Sequence, residues 1–95
     1  MTARVHLVRD NPEQRRYELS VDGRRIGIAD YHRIGDVMVL PHTVIEPSER
    51  NQGWGEVLVR EALDDIRRQG LRVEPQCWFV AEFVELNPAY AELLA

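Results

Sequence analysis

The segment RNQGWGEVLVREALDDIRRQG, residues 50–70, limits the fold more than any other part of the sequence. Its apolar residues recur at the spacing of one face of an α-helix, with two further positions widening the stripe: Trp54, Val57, Leu58, Ala62 and Ile66, then Val59 and Leu63. Gly70 is a natural C-terminal stop, and the two arginines before it occupy the turn where the helix dipole favours cations. The segment therefore predicts one long amphipathic helix.

The residues before this helix predict four strands. The first contains Val5 and Leu7 and ends near Asn11. A hairpin follows at residues 17–31, turning at Asp22 and Gly23, with these apolar residues on its two strands: Tyr17, Leu19 and Val21, then Ile26, Ile28 and Tyr31. The fourth strand, VMVLPHTVI at 37–45, is apolar on both faces, as a central strand is. Pro41 within it predicts a bulge, an edge or an interruption where the strand splays from its neighbour.

The residues after the helix predict a fifth strand and two shorter helices. Leu71 to Gln76 form the strand, so that strand, helix and strand make one crossover unit. Phe79, Val80, Phe83 and Val84 predict the second helix, and Asn87 with Pro88 predicts an N-cap for a last piece ending at Leu94. We expect a single α/β domain over residues 1–95, with a mixed, mostly antiparallel sheet of about five strands, a central crossover helix and C-terminal helices.

Composition excludes several classes of function. A formal charge of -4 argues against a nucleic-acid partner, and no apolar run approaches the roughly 18 residues needed to cross a bilayer. One cysteine and three histidines at 6, 32 and 42 lack the spacing of metal ligands. The N-terminus lacks the apolar core of a signal peptide, so we expect a cytoplasmic protein. No feature indicates an oligomeric state.

The two glycines at the start of the long helix predict an anion site. Five backbone amides there have no acceptor within the helix and point outward, those of Gln52, Gly53, Trp54, Gly55 and Glu56. Glycines let phosphate oxygens approach such amides, and the helix dipole favours the negative charge. In the alternative interpretation, Gly53 only ends a loop and Gly55 only packs against a strand. A P-loop is excluded because the chain has no lysine, and Leu58 replaces the third glycine of a dinucleotide fingerprint.

Arg50, Gly53 and Gly55 match the Arg/Gln-x-x-Gly-x-Gly/Ala signature of the GNAT N-acetyltransferase superfamily. The order of the further motifs resembles its compact single-domain members over most of residues 15–94: His42-Thr43, Gln52 to Gly55, Gly70, Pro75-x-Cys77 and Asn87-Pro88 with Tyr90. The resemblance implies acetyl-CoA as cofactor and an unidentified amine as acceptor. It further implies that the pantetheine arm pairs with the backbone of Val44 and Ile45. The diphosphate would be held by residues 50–56, Asn51 included, and Asn87 and Tyr90 would lie near the cofactor.

Two residues are candidates for the chemistry. Cys77 follows Pro75 at the start of a helix, and the resemblance makes its thiol a candidate acyl acceptor; alternatively it is a small packing residue. His42 is a candidate general base or, alternatively, a structural histidine. Arg50 either adds charge to the cofactor site or is an exposed loop arginine, and Tyr90 either protonates the leaving thiolate, touches the cofactor or packs in the core.

Three positions depart from the family pattern. Val44 replaces a frequent glutamate, Asn87 replaces a frequent histidine, and Trp54 replaces a small aliphatic residue. The first two departures remove acid-base or ligand groups. Two functions therefore remain open: an acetyl-CoA-dependent N-acetyltransferase, acting directly or through Cys77, and a non-catalytic acyl-CoA-binding or protein-interaction domain.

Overall fold

The five strands form one sheet in the same order as in the sequence. The computed structural model describes residues 4–95. The strands are β1 (His6–Asn11), β2 (Arg16–Val21), β3 (Arg24–Ile34), β4 (Val37–Ile45) and β5 (Arg72–Pro75). The helices are α1 (Trp54–Arg68) and α2 (Trp78–Leu86), with 3₁₀ segments at Pro47–Glu49 and Pro88–Leu93. Strands β1 to β4 are antiparallel, and β5 joins β4 in parallel after α1. The predicted fold is confirmed.

The turn between β2 and β3 confirms the predicted hairpin. Asp22 and Gly23 both have positive φ, 50° and 84°, which is the backbone of a type I′ turn. The predicted first strand is confirmed and ends at Asn11, but the residue that faces the core differs from the expected ones. Val5 and Leu7 are exposed, at 70% and 57%, and it is Val8 that packs against the core. Val8 pairs with the buried Leu19, so it lies on the face that the core covers, whereas Leu7 lies on the opposite face.

A β-bulge between β2 and β3 decides which residues of β3 reach the core. The register shifts by one residue at Leu19 and Ser20. Ile26 and Ala29 are buried in the core as a result, whereas Ile28 is only half-buried and pairs with Glu18 on the other face. A one-residue shift moves side chains between faces, because side chains alternate along a strand.

Pro41 lies where the sequence predicts an irregularity in β4. The strand is central, between β3 and β5, but β5 pairs with it only as far as Leu40. On the β3 side, Asp30 pairs with His42 and His32 with Val39, so two residues of β4 oppose one of β3. Pro41 itself is exposed. The bulge and the separation of β4 from β5 therefore meet at this proline.

The helices build one core with the sheet. α1 buries five residues, Leu58, Val59, Ala62, Leu63 and Ile66, and α2 adds Val80, Phe83 and Val84. Gly70, with φ 73°, ends α1 as predicted: its amide donates to Arg67 and that of Leu71 donates to Ile66, a Schellman pattern. Within residues 4–95, no helix is both long and apolar enough to span a bilayer.

The last helical piece differs from its prediction. It is a 3₁₀ helix that ends at Leu93, and Leu94 instead forms a bridge with Val73. The side chain of Asn87 does not cap it. The amide nitrogen Nδ2 of Asn87 donates to the carbonyl of Phe83, 2.8 Å away, and so closes the end of α2. A carbonyl left free by the last turn of α2 competes for this side chain and binds it.

Candidate functional site

A groove with a volume of about 610 Å³ opens where β4 and β5 separate. It brings together ten of the thirteen predicted site residues from three parts of the chain. The end of β4 supplies His42, Val44 and Ile45; the loop and the first turn of α1 supply Arg50, Asn51 and residues 53–56; the start of α2 supplies Cys77. The volume lies in the range of small-molecule sites.

The end of β4 presents an unpaired edge to this groove. The amide of Glu46 donates to the carbonyl of Ile26 at 2.8 Å. Because bonded pairs alternate along an antiparallel ladder, the backbone groups of Ile45 point away from β3. Nothing from β5 reaches them, since that strand has left the sheet after Leu40. The carbonyl of Ile45 accepts one bond, 3.0 Å long, from Nε of Arg50.

The loop before α1 forms a concave arrangement of backbone amides. Asn51 and Gly53 both have positive φ, 63° and 85°, and such alternation turns successive N–H groups toward one point. The first bond of α1 runs from the amide of Val57 to Gly53, so residues 54–56 have no acceptor within the helix. A Cβ added at Gly53 would meet no atom within 4 Å. The loop is therefore open beside Gly53, and amides without a helical acceptor are suited to an anion.

Gly55 has a packing role as well. A Cβ at this position would lie 2.9 Å from Cζ of Phe79, so α1 and α2 approach each other only because residue 55 has no side chain. The packing alternative in the sequence analysis is therefore correct in kind, but the partner is a helix rather than a strand. A substitution at Gly55 therefore disturbs this contact as well as the first turn of α1.

A buried carboxylate beneath the loop is neutralised by two arginines. Glu49 has a side chain only 11% exposed, and Arg4 donates to both of its oxygens, at 3.0 and 3.3 Å. Arg24 lies 3.4 Å from the same carboxylate. The hydrogen bonds from Arg4 lower the pKa of Glu49, and burial opposes them. The sequence analysis missed this cluster, because no local pattern connects residues 4, 24 and 49.

Trp54 lies between the cluster and the groove. The guanidinium of Arg4 sits 5.7 Å from the centre of the Trp54 ring, and the His6 ring lies 5.9 Å away. The ring is half-buried. Trp54 thus adjoins both the candidate ligand site and the N-terminal strand, as an aromatic residue that flanks the groove.

The two candidate catalytic residues lie near the point where β4 and β5 part. The amide of Cys77 donates to the carbonyl of Leu40 at 3.0 Å, which fixes the start of α2 two residues from His42 in β4. His42 is exposed, and its Nδ1 lies 3.3 Å from Oδ2 of Asp30. Asp30 is a residue that the sequence analysis missed. The bulge at Pro41 brings it opposite His42.

Three predicted residues lie outside the lining of the groove. Gln52 is exposed on the loop. Asn87 lines a smaller adjoining pocket that shares Glu56 and Phe79 with the groove. Tyr90 packs on Phe83, and its hydroxyl donates to Asp64 at 2.8 Å. Burial, and then this hydrogen bond, raise the pKa of Tyr90, which makes its hydroxyl a weaker acid.

Comparison with known proteins identifies the family. A family model described as GCN5-related N-acetyl-transferase matches residues 16–93. The chain belongs to this family. Among curated relatives, Protein NATD1 of Bos taurus is 34% identical over 59 residues, which cover 61% of this chain and 52% of the relative. Protein NATD1 of Homo sapiens is 30% identical over 59 residues, covering 61% and 52%. The match spans about half the length of these relatives.

Solved structures of other proteins share the fold. A GCN5-like protein from Staphylococcus aureus, solved by NMR, has a TM-score of 0.71 at 14% identity and covers 94% of this chain and 87% of its own. The ribosomal-protein-S18-alanine N-acetyltransferase from Escherichia coli has a TM-score of 0.64 at 18% identity, covering 78% and 53%. N-acetylglutamate synthase from Neisseria gonorrhoeae, complexed with coenzyme A and N-acetyl-glutamate, has a TM-score of 0.57 at 20% identity, covering 74% and 19%.

Proposed function

We propose that this protein binds acetyl-CoA in the groove and transfers the acetyl group to an amine. One observation carries the proposal: a single groove joins the unpaired edge of β4, the concave amides before α1 and the thiol of Cys77. Membership of the GCN5-related family supports acetyl transfer as the reaction class. The N. gonorrhoeae relative of similar fold was solved with coenzyme A, which supports the same cofactor here.

The residues of the groove fit the two parts of the cofactor. The amides of residues 52–56, with Asn51 beside them, would hold the diphosphate, and Arg50 would add a positive charge. The amide groups of the pantetheine arm would pair with the free edge at Ile45, whereas the same alternation turns the backbone groups of Val44 toward β3. Thr43 and Trp54 line the same groove, and each carries a buried polar atom with no partner among residues 4–95. A polar ligand or its water would satisfy such atoms.

Cys77 would carry the acetyl group between donor and acceptor. Its thiol loses a proton, and the sulfur attacks the acetyl carbonyl; the bond to the sulfur of coenzyme A breaks, and that thiolate takes a proton. The acceptor amine then attacks the acetyl-cysteine. The C–N bond forms, the C–S bond to Cys77 breaks, and the released thiolate takes the proton that the amine loses. Direct attack of the amine, without this intermediate, is the competing route.

His42 would remove the proton from the attacking group. The carboxylate of Asp30 fixes one ring nitrogen, which leaves the other free to face a reacting group. We assign Asp30 a positioning role, since it acts through His42.

Cofactor binding is tested by placing a negative charge beside the amides. Gln52 is exposed on the loop, so Gln52→Glu changes charge at almost constant shape. We expect coenzyme A to bind about fivefold more weakly, because two charges at contact distance repel by about 1 kcal/mol even in water. Gln14→Glu, in the exposed turn between β1 and β2, is the matched control and should bind as the parent does. Equal affinity of the parent and both variants by calorimetry would refute the placement.

The chemistry is tested by intact-mass measurement after incubation with acetyl-CoA. An added acetyl group that is absent in Cys77→Ala supports the covalent route. Transfer to an amine panel by Cys77→Ala at the parental rate would instead establish direct attack. Binding of coenzyme A with no turnover of any amine would support the non-catalytic acyl-CoA-binding domain.

A further inference from the structure

The two edges of the sheet are protected differently. At one edge, β5 ends at Pro75, and the end of the chain covers its outer side: Leu94 forms a bridge with Val73, and the amide of Ala95 donates to the carbonyl of Val73 at 3.0 Å. At the other edge, β1 contains no proline, and its outer side pairs with no other strand of residues 4–95. An edge of this kind is a template for a further strand.

The hydrogen bonds between β1 and β2 show which backbone groups of β1 point outward. The amide of Asp22 donates to the carbonyl of Val5 at 2.8 Å, so these two residues form a hydrogen-bonded pair. Such pairs alternate along an antiparallel ladder, which turns the backbone of residues 7, 9 and 11 toward β2. The N–H and C=O groups of His6, Val8 and Asp10 therefore point away from the sheet.

We propose that two copies of this chain pair through β1, antiparallel and related by a two-fold axis at Val8. Val8 then lies opposite Val8 of the partner subunit, and His6 lies opposite the partner's Asp10. In this register every outward N–H and C=O group of β1 has a partner on the other copy. A shift by two residues leaves the outward groups of either His6 or Asp10 without a partner in β1.

The side chains of β1 favour the same register. Leu7 is 57% exposed on the face without helices, and there it would lie against the aliphatic stem of the partner's Arg9. Arg9 makes no ion pair within residues 4–95, because Glu18, which lies opposite it on β2, is held by Arg16 and Arg25. A shift that brings Arg9 opposite the partner's Arg9 would place like charges together, which destabilises a strand pair.

The same patch of each copy forms this interface, as in a closed two-fold dimer. One pair of short strands buries less than the roughly 1,200 Å² of a standard interface, so we expect a dissociation constant on the order of 100 µM. The pairing does not depend on the proposed function, because the groove lies at β4 and β5, whereas β1 is the opposite edge.

Sedimentation equilibrium of the full chain, from about 10 µM to about 1 mM, tests the dimer. The parent should approach twice the monomer mass across this range. Leu7→Arg places two guanidinium groups opposite each other at both ends of the interface, so it should weaken the dimer about tenfold or more. Ile34→Arg is the matched control: Ile34 is 63% exposed at the far end of β3, and the dimer should be unchanged.

Leu7→Glu tests the register. With the two-fold axis at Val8, the new carboxylate faces the partner's Arg9, and the dimer should tighten about fivefold. With the axis at Leu7, the same carboxylate would face its own copy, and the dimer should dissociate. A monomer mass up to about 1 mM, equal loss in Ile34→Arg, or a weaker dimer in Leu7→Glu overturns the proposal. Circular dichroism of each variant confirms that it is folded, since both substituted side chains are exposed.

Discussion

The two walls of the groove use opposite means to present polar groups. The cradle wall consists of the end of β4, the loop 46–53 and the first turn of α1; there Glu46 and Glu49 are held by arginines and the groups offered to a ligand are backbone amides. The α2 wall, Cys77 to Leu86, contains no arginine, and it lines the groove with side chains, those of Cys77, Trp78 and Phe79. Hydrogen bonds from backbone amides depend on the conformation of the backbone more than on the residue type. Substitutions should therefore act on the cradle wall through strain, and on the α2 wall through chemistry.

The largest effect is expected beneath the cradle wall, at Gly27 of β3. A Cβ there would lie 2.6 Å from Cδ1 of Ile45 and 3.2 Å from the carbonyl oxygen of Val44. Gly27→Ala should lower the free energy of unfolding by about 1–3 kcal/mol, as overpacking of a core does. It should also weaken coenzyme A binding, because the end of β4 moves. Urea denaturation and calorimetry measure the two effects.

Ile45→Val provides the matched test, since it removes the Cδ1 atom that clashes. On its own, Ile45→Val should lower the free energy of unfolding by about 0.5–1.5 kcal/mol. Combined with Gly27→Ala it should recover stability, so the two changes would not add. If the effects of the two changes on the free energy of unfolding simply added, the clash with Ile45 would not be the cause of the destabilisation by Gly27→Ala.

The next effect concerns Gly55, where the two walls touch. Gly55→Ala would bring a methyl group within 2.9 Å of the Phe79 ring, and the tip of that ring must shift. We expect a loss of about 1 kcal/mol in the free energy of unfolding, the low end of overpacking costs. Phe79→Leu in the same chain should restore it, because the shorter side chain no longer reaches residue 55. A destabilisation that persists in the double variant would contradict this account of Gly55.

Glu49 gives a pH-dependent test of the cradle wall. Hydrogen bonds from Arg4 hold the pKa of Glu49 below its ordinary value of 4.5 in the folded protein. The carboxylate therefore stabilises the fold at neutral pH, and this stabilisation is lost as the pH falls through the folded pKa, below about 4.5. Glu49→Gln should have a lower melting temperature than the parent at pH 7. On acidification, its melting temperature should fall by less than that of the parent. Parallel melting curves for the two proteins between pH 7 and 3 would exclude this role.

The smallest effect is expected at Glu56, an exposed carboxylate in the first turn of α1. Its negative charge interacts favourably with the positive end of the helix dipole, but it repels an anion bound at the same amides. Glu56→Gln should tighten coenzyme A binding about two- to fivefold and slightly lower stability, as charges at helix ends contribute about 0.3–1 kcal/mol. Glu13→Gln, on the turn after β1, controls for net charge. Weaker binding in Glu56→Gln would indicate that this carboxylate contacts the ligand favourably.

The contact between Asp30 and His42 shows where prediction from sequence ends. Ile34 pairs with Val37 across the turn, and an unbroken hairpin with that register would oppose Asp30 to Pro41. The bulge inserts one residue and pairs Asp30 with His42 instead. Proline marks the irregularity in the sequence, since it donates no hydrogen bond. The direction and the size of the bulge follow from packing against β3. They decide that the carboxylate of Asp30 reaches the imidazole of His42.

Local patterns in the sequence predict most helices and strands of this protein and the exposed amides before α1. The spacing of apolar residues and the residue types of turns are local properties of the chain. They are sufficient to predict the hairpin, and also the long helix with its end at Gly70 and the exposed amides at its start. Three further contacts are visible in the folded chain alone: Glu49 with Arg4 and Arg24, Gly55 with Phe79, and Tyr90 packed on Phe83 away from the groove. These contacts join residues far apart in the chain. They depend on strand register and on the distance between helices, which the whole core sets together.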